Sequence, residues 1–166
     1  MRARDLAEDL PTVGPDDDAL QAAQLIAGER LPAIAVLDDG RHPVAVLRAS
    51  EVLRFVIPGY VQEDPSLARV LDEASADGCA SELLGKRVRD LLPGPDRKVA
   101  LAVVDGDATV VECAAEMARL GSPLLVVVDG EQVRGLLTVS HLLEVLLPMP
   151  DSPAGQPRGA DRRSPR

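Results

Sequence analysis

Two cysteines, two histidines and 27 carboxylates are the residues of this chain that could supply nucleophilic, metal-binding or acid–base chemistry. Their spacing argues against each use. Cys79 and Cys113 are far apart, no C-x-x-C occurs, and His42 and His141 stand alone, so no metal-ligand pattern can be read. No nucleophile–base pair and no glycine-rich phosphate loop is visible, and the Asp and Glu residues mostly occupy expected helix caps and solvated faces. We expect neither a catalytic centre nor a metal. The polar residues that remain sit at junctions between apolar runs, and they acquire meaning only from the elements that hold them.

Those elements come in two copies. Pro123 to Leu147 reads PLLVVVDGEQVRGLLTVSHLLEVLL, and Pro32 to Pro58 reads PAIAVLDDGRHPVAVLRASEVLRFVIP. In each, a branched apolar run meets an Asp-Gly turn, a second apolar run follows, and an apolar segment ends at Pro148 or Pro58. This predicts strand, tight turn, strand, helix, because Asp-Gly supplies the positive φ values of short hairpins. Each copy is preceded by a matching helix. Asp18 and Gln21 occupy N-cap and N3 in the first, and Thr109 and Glu112 in the second. Leu20, Ala23, Ile26 and Ala27 are the expected apolar face of the first helix, with Gly28 as its stop. Val110, Cys113, Ala114 and Met117 are the expected face of the second, with Gly121 as its stop. Short strands are expected at Pro11–Val13 and Leu101–Val104, and the related openings RARDL and RVRDL, at Arg2 and Arg87, predict a helical turn before each.

The fold class is therefore α/β (α+β): two β-α-β-β-α repeats, residues 1–58 and 86–148, packed together. A unit of about 55 residues buries too little surface to be secure alone. Near-continuous apolar strands also fit a sheet covered on both faces. Residues 59–85 form a helical linker. Asp64-Pro65 signals a helix start, with Leu67, Val70, Leu71 and Ala74 as its stripe and Gly78 as its end, and a second short helix is expected over Ser81–Leu84. The stripe must bury against the repeats or against a dimer partner, and spacing does not separate the two. Residues 149–166, rich in Pro, Gly, Ser and Arg, are expected to be a disordered tail.

Composition narrows the partners. Net charge is −9; the four arginines and two aspartates from Asp151 onward give that segment +2 and leave the rest at −11. Such a body repels nucleic-acid backbones and anionic lipid, and with Phe55 and Tyr60 as its only aromatics it has no base-stacking platform. Nucleic acid is not an expected partner. No apolar run reaches the ~18 residues of a membrane span, and the first residues, MRARDLAEDLPTVG, do not resemble a signal peptide. With two unpaired thiols, a cytoplasmic location is expected.

Taken in order, RARDL and RVRDL, PTVGPDDDALQAAQLI and VDGDATVVECAAEM, and then GLLTVSHLL resemble the cystathionine-β-synthase (CBS) domain, present here as the tandem pair called a Bateman module. The resemblance covers Arg2–Pro58 and Lys86–Pro148. It implies a pseudo-two-fold pair with two clefts between the copies, an adenosine-containing regulatory ligand such as AMP, ATP or S-adenosylmethionine, regulatory rather than catalytic work on a partner enzyme or transporter, and a homodimer. The family's closing motif is Gly, two apolar residues, Ser or Thr, two spacers, then Asp or Asn. The Gly lets ligand approach the strand. The hydroxyl sits at a helix N-terminus, where free N–H groups and the helix dipole attract phosphate. The carboxylate accepts from ribose hydroxyls.

By that resemblance the candidate ligand residues are Gly135, Thr138 and His141 in the second copy, and Arg48, Glu51 and Thr12 in the first. His141 stands where the family has Asp, and a neutral imidazole cannot copy a two-oxygen acceptor. In the first copy Ala45 replaces Gly, Arg48 replaces Thr and Glu51 replaces Asp. Thr138 reads as N-cap or phosphate ligand, Arg48 as exposed side chain or phosphate partner, and Thr12 as strand residue or cleft lining. Two functions follow: a sensor of an adenosine-containing ligand that controls a partner protein, or a ligand-free dimerisation module acting by protein–protein contact.

Overall fold

The structure, a computed structural model, describes residues 1–39, 41–71, 73–94 and 101–147. The expected tail at 149–166, the helix stop at Pro148, Gly40 of the first turn and the side chain of Ala74 fall outside the described set. The first copy contains α1 (Ala3–Leu6), β1 (Thr12–Val13), α2 (Ala19–Gly28), β2 (Ala33–Leu37), β3 (Pro43–Arg48) and α3 (Ala49–Val56). The linker contains α4 (Gly59–Glu63), a 3-10 segment at Pro65–Val70 and α5 (Glu73–Ser81). The second copy contains α6 (Val88–Leu91), β4 (Val103–Asp105), α7 (Val110–Leu120), β5 (Leu124–Asp129), β6 (Gln132–Thr138) and α8 (Val139–Leu146).

Each copy builds one three-stranded sheet, β1-β2-β3 and β4-β5-β6, with the first pair parallel and the second antiparallel. Side chains alternate between faces along each strand, and the alternation sorts the core into three layers. Ile34, Val36 and Leu47 point into a cluster with α2 and α3, while Leu125, Val127 and Leu137 point into the equivalent cluster with α7 and α8. Ala33, Ala35 and Val46 face the other way and meet Leu124, Val126 and Leu136. This third cluster joins the copies through β2 and β5. Small residues of one sheet oppose larger ones of the other.

The opening helices exchange. Val88 and Leu91 of α6 complete the first copy's helical cluster, and Ala3 and Leu6 of α1 complete the second's. The contacts match pairwise. Ala3 N–H donates to Ala108 C=O at 2.8 Å as Val88 N–H donates to Asp17 C=O at 3.0 Å. Arg4 N–H donates to Gly106 C=O at 3.0 Å as Arg89 N–H donates to Pro15 C=O at 2.9 Å. Arg4 pairs with Asp107 as Arg89 pairs with Asp16. The openings thus pack on the opposite copy from the one they precede in sequence.

Several expectations need correction. The buried face of α2 is Ala19, Ala22 and Ile26; Leu20 and Ala23 are only partly buried and Ala27 is exposed. That helix ends at Gly28 as expected, although the left-handed residue beyond it is Arg30, at φ 53°. Gly121, by contrast, ends α7 in the left-handed conformation expected of it, at φ 58°. The capping box is reciprocal in α7: Glu112 N–H donates to Thr109 Oγ1 at 3.2 Å and Thr109 N–H donates to Glu112 Oε2 at 2.6 Å. The Thr109 N–H first, and the Thr109 side chain second, hold the Glu112 carboxyl below the usual carboxylate range. In α2 Asp18 accepts from Gln21 N–H at 2.9 Å. The linker departs most. Pro65–Val70 winds as a 3-10 helix, Gly78 lies inside α5, and in place of a second helix over Ser81–Leu84 the chain leaves α5 at Ser81 and forms turns over 82–85. Leu67, Val70 and Leu71 are exposed, Val70 to 84%. Among the described linker side chains, Val61 and Leu83 are the buried ones.

If the layer between the sheets holds the copies together, emptying it is costly. Leu124 is fully buried there, and Leu124→Ala is expected to lose about 3 kcal/mol, or roughly 6–12 °C in melting temperature. Thermal unfolding followed by circular dichroism measures this. A loss under about 1 kcal/mol would show that the helical layers, not the sheet interface, carry the stability.

Candidate functional site

The register places Arg48 and Thr138 at equivalent points. Arg48 pairs with Ala33 across β2–β3, and Thr138 pairs with Leu124 across β5–β6. Each is the last residue of its strand and the N-cap of the next helix. Both positions lie on the sheet face that meets the other copy, two residues beyond Val46 and Leu136.

Their chemistry differs. Thr138 Oγ1 accepts from the His141 N–H at 3.2 Å, so it caps α8 in the ordinary way. Arg48 makes no side-chain cap bond to α3, and its Nε is buried without a hydrogen-bond partner. A guanidinium only donates, so it cannot cap a helix N-terminus. It leaves the first N–H groups of α3 uncapped by its side chain and adds its own donors beside them. Glu51, in the first turn of α3, is buried at 7% exposure, with Arg54 Nε at 3.9 Å from its Oε2.

Around Thr138 the opening of the first copy adds a residue that sequence reasoning missed. His141 Nδ1 is 3.1 Å from Glu8 Oε2, although their alignment does not make this a hydrogen bond and the buried Nδ1 has none. Glu8 arrives there because its backbone pairs with β6. Its N–H donates to Leu136 C=O at 2.8 Å and its C=O accepts from Leu136 N–H at 2.9 Å. Gly135 makes the approach feasible, since a Cβ there would come within 2.9 Å of both Ala7 Cβ and Glu8 O. The close neighbour of Gly135 is thus this chain's own segment. Had the exchange of openings been anticipated, this glycine was the signal that something crosses β6 tightly.

The six sequence candidates fall into three groups. Gly135, Thr138 and His141 come together with Glu8, and Arg48 and Glu51 come together at α3. Thr12 joins neither. It pairs with Ala35, whose other neighbour is Val46, which puts Thr12 two strands, roughly 10 Å, from Val46. Among the described residues no group of three potential metal ligands occurs. No helix among them is long and apolar enough to cross a membrane. Cys113 is fully buried, and burial pushes its thiol above the usual range, which makes it a poor nucleophile. Away from these positions, Ala114, Met117, Pro123, Leu142, Leu143 and Leu146 line an apolar groove of about 420 Å³ between α7 and α8.

Two paired β-α-β-β-α units, with polar residues at equivalent strand-to-helix steps, form a tandem repeat module. The chain belongs to the CBS domain family, whose model matches residues 3–58 and 88–148. It is similar to a solved CBS domain-containing protein of unknown function from Kribbella flavida DSM 17836, at 49% identity over 88% of this chain and 98% of that one, with a TM-score of 0.75. It also shares its fold with CBSX2 from Arabidopsis thaliana, at 19% identity over 87% of this chain and 93% of that one, TM-score 0.66. A structure of CBSX2 in complex with AMP has been solved; it is 18% identical over 87% of this chain and 95% of that one, TM-score 0.60. No curated protein matches.

The Gly135 contact is testable. In Gly135→Ala the segment Ala7–Glu8 must move, and overpacking of this kind costs about 1–3 kcal/mol. Chemical denaturation should show that loss, and amide exchange at Glu8 and Leu136 should accelerate. Unchanged exchange at those two amides would mean that the added methyl is accommodated without opening the pair.

Proposed function

We propose that this protein is a ligand-sensing regulatory module. It binds an adenosine-containing ligand of the AMP, ATP or S-adenosylmethionine class between its CBS repeats, and the bound state changes the surface offered to a partner protein such as an enzyme or transporter. The repeats are residues 1–58 and 86–148, joined by 59–85, and the setting is cytoplasmic. The observation that supports this reading most is Arg48: a cation with a buried, unpartnered donor, at the step where a helix begins. A buried donor without an acceptor is costly, and a ligand phosphate would supply the acceptor. Glu51, one turn further, supplies a carboxylate on the same helix for hydroxyl donors such as those of ribose. Thr12, Gly135, Thr138 and His141 complete the candidate set by family position. The AMP complex of CBSX2, a distant relative by sequence, supports the ligand class.

A thermal-shift series with AMP, ADP, ATP, S-adenosylmethionine and NAD tests the reading. At one hundred times the dissociation constant one site adds about 2.7 kcal/mol, which raises the melting temperature by roughly 5–10 °C. The shift should shrink in Arg48→Ala. No shift with any of the five at millimolar concentration overturns the proposal.

The alternative, a ligand-free dimerisation module, is favoured by one observation. The groove between α7 and α8 is almost wholly apolar, and Leu143, Leu146 and Leu147 beside it are exposed. A homodimer formed there should dissociate in Leu146→Glu, read as a halved mass by sedimentation velocity. An unaltered mass would place any self-association elsewhere.

A further inference from the structure

The two strand-to-helix steps are related by the repeat, yet four equivalent positions differ. At the step itself stands Arg48 in the first copy and Thr138 in the second. Three residues earlier stands Ala45 against Gly135. At the place of Glu8, six residues after the opening arginine, the second copy's opening has Pro93. One turn into the helix stands Glu51 against His141.

The differences at Glu8 and Pro93 and at Thr138 and Arg48 close the second position and open the first. Glu8 occupies the outward edge of β6 by exchanging two backbone bonds with Leu136. Val46 holds the register of Leu136: it opposes Ala35 as Leu136 opposes Val126. Its N–H and C=O therefore point outward, away from β2. Pro93 has no N–H, so it cannot make the exchange that Glu8 makes. The Cβ of Ala45 also stands where Gly135 leaves room. Among the described residues no backbone bond reaches the outward groups of Val46. Charge follows the same division. The first position carries the Arg48 guanidinium, with Nε unpartnered, next to the Glu51–Arg54 pair. At the second, the Thr138 hydroxyl oxygen already accepts from His141 N–H, and the Glu8 carboxylate, 45% exposed, stands beside the ring.

We propose that the two clefts are functionally unequal. The step at Arg48 is the single site for an anionic ligand, and the step at Thr138 is occupied by the chain's own Glu8, which excludes phosphate by charge and by filling the strand edge. The inference rests on the reading of the protein as a binder of adenosine-containing ligands and specifies which half binds and how many molecules. Glu8 acts as a plug, and Arg48 selects the phosphate.

Isothermal titration calorimetry of the full chain with AMP and with ATP tests it. The expected stoichiometry is one ligand per chain. Arg48→Ala should weaken affinity roughly ten- to a hundredfold, the worth of a charged hydrogen bond. Glu8→Gln, which keeps the backbone exchange, should leave the affinity of that single site within about twofold, below half of a tenfold step in free energy. Two ligands per chain, or binding that survives Arg48→Ala undiminished, overturns the inequality while leaving the regulatory reading in place. Absence of heat and of thermal shift with every nucleotide overturns both.

Discussion

A three-stranded sheet that is apolar on both faces cannot be covered by the two helices of its own repeat. β2 is buried at all five residues, Ala33 to Leu37, and α2 and α3 reach only the face that carries Ile34 and Val36. The other face needs a second sheet, and the duplicate supplies it. Ala33 and Ala35 are small, and the residues opposite, Leu124, Val126 and Leu136, are larger. Alternating small and large residues across the layer is how facing surfaces fill space without strain. The exchanged openings tighten the dependence. With Val88 and Leu91 in the first copy's helical core and Ala3 and Leu6 in the second's, neither copy has a complete core from its own residues.

That mutual dependence is also what makes the differences between the copies interpretable. Because the registers of β3 and β6 match residue for residue over the segment that carries the motif, Arg48 and Thr138 can be compared as two answers to one geometric question. A hydroxyl at the end of the strand closes the helix behind it. A guanidinium there cannot, and adds donors where donors are already in excess. Likewise Gly135 and Ala45 differ by one methyl, and the methyl decides whether a neighbouring segment can lie on the strand edge.

Much of the fold is legible from local signals. Branched apolar runs on either side of Asp-Gly predict the hairpins, and Thr109-x-x-Glu112 predicts a capping box that forms as expected. What escapes has physical causes. The openings at Arg2 and Arg87 have nearly the same sequence, so nothing local says which copy each will join; that is settled by long-range packing. Alanine contributes little to an apolar pattern, so Leu20 outweighs Ala19 and Ala22, although the alanines let α2 approach its neighbours and are the residues that bury. The linker stripe assumes 3.6 residues per turn, and the 3-10 winding of Pro65–Val70 removes that alignment. Of the candidate site, the strand-to-helix positions are legible. Glu8 is not, because its place comes from pairing with Leu136, 128 positions away by subtraction of the residue numbers.

Loss of a motif's letters is therefore different from loss of a site. At the first position Thr has become Arg, which exchanges one hydroxyl for a fixed positive charge and several donors. At the second the hydroxyl remains but a carboxylate has arrived from elsewhere in the chain. Two unit charges about 4 Å apart interact by about 4 kcal/mol near a protein surface, so a phosphate entering the two positions would meet attraction from Arg48 at one and repulsion from Glu8 at the other. On the proposed reading the scaffold's symmetry sets two equivalent positions, and the unsymmetrical charges distinguish them. On that same reading the intact-looking Thr138 is the poorer anion site of the pair, and Arg48, which departs furthest from the family pattern, is the better one.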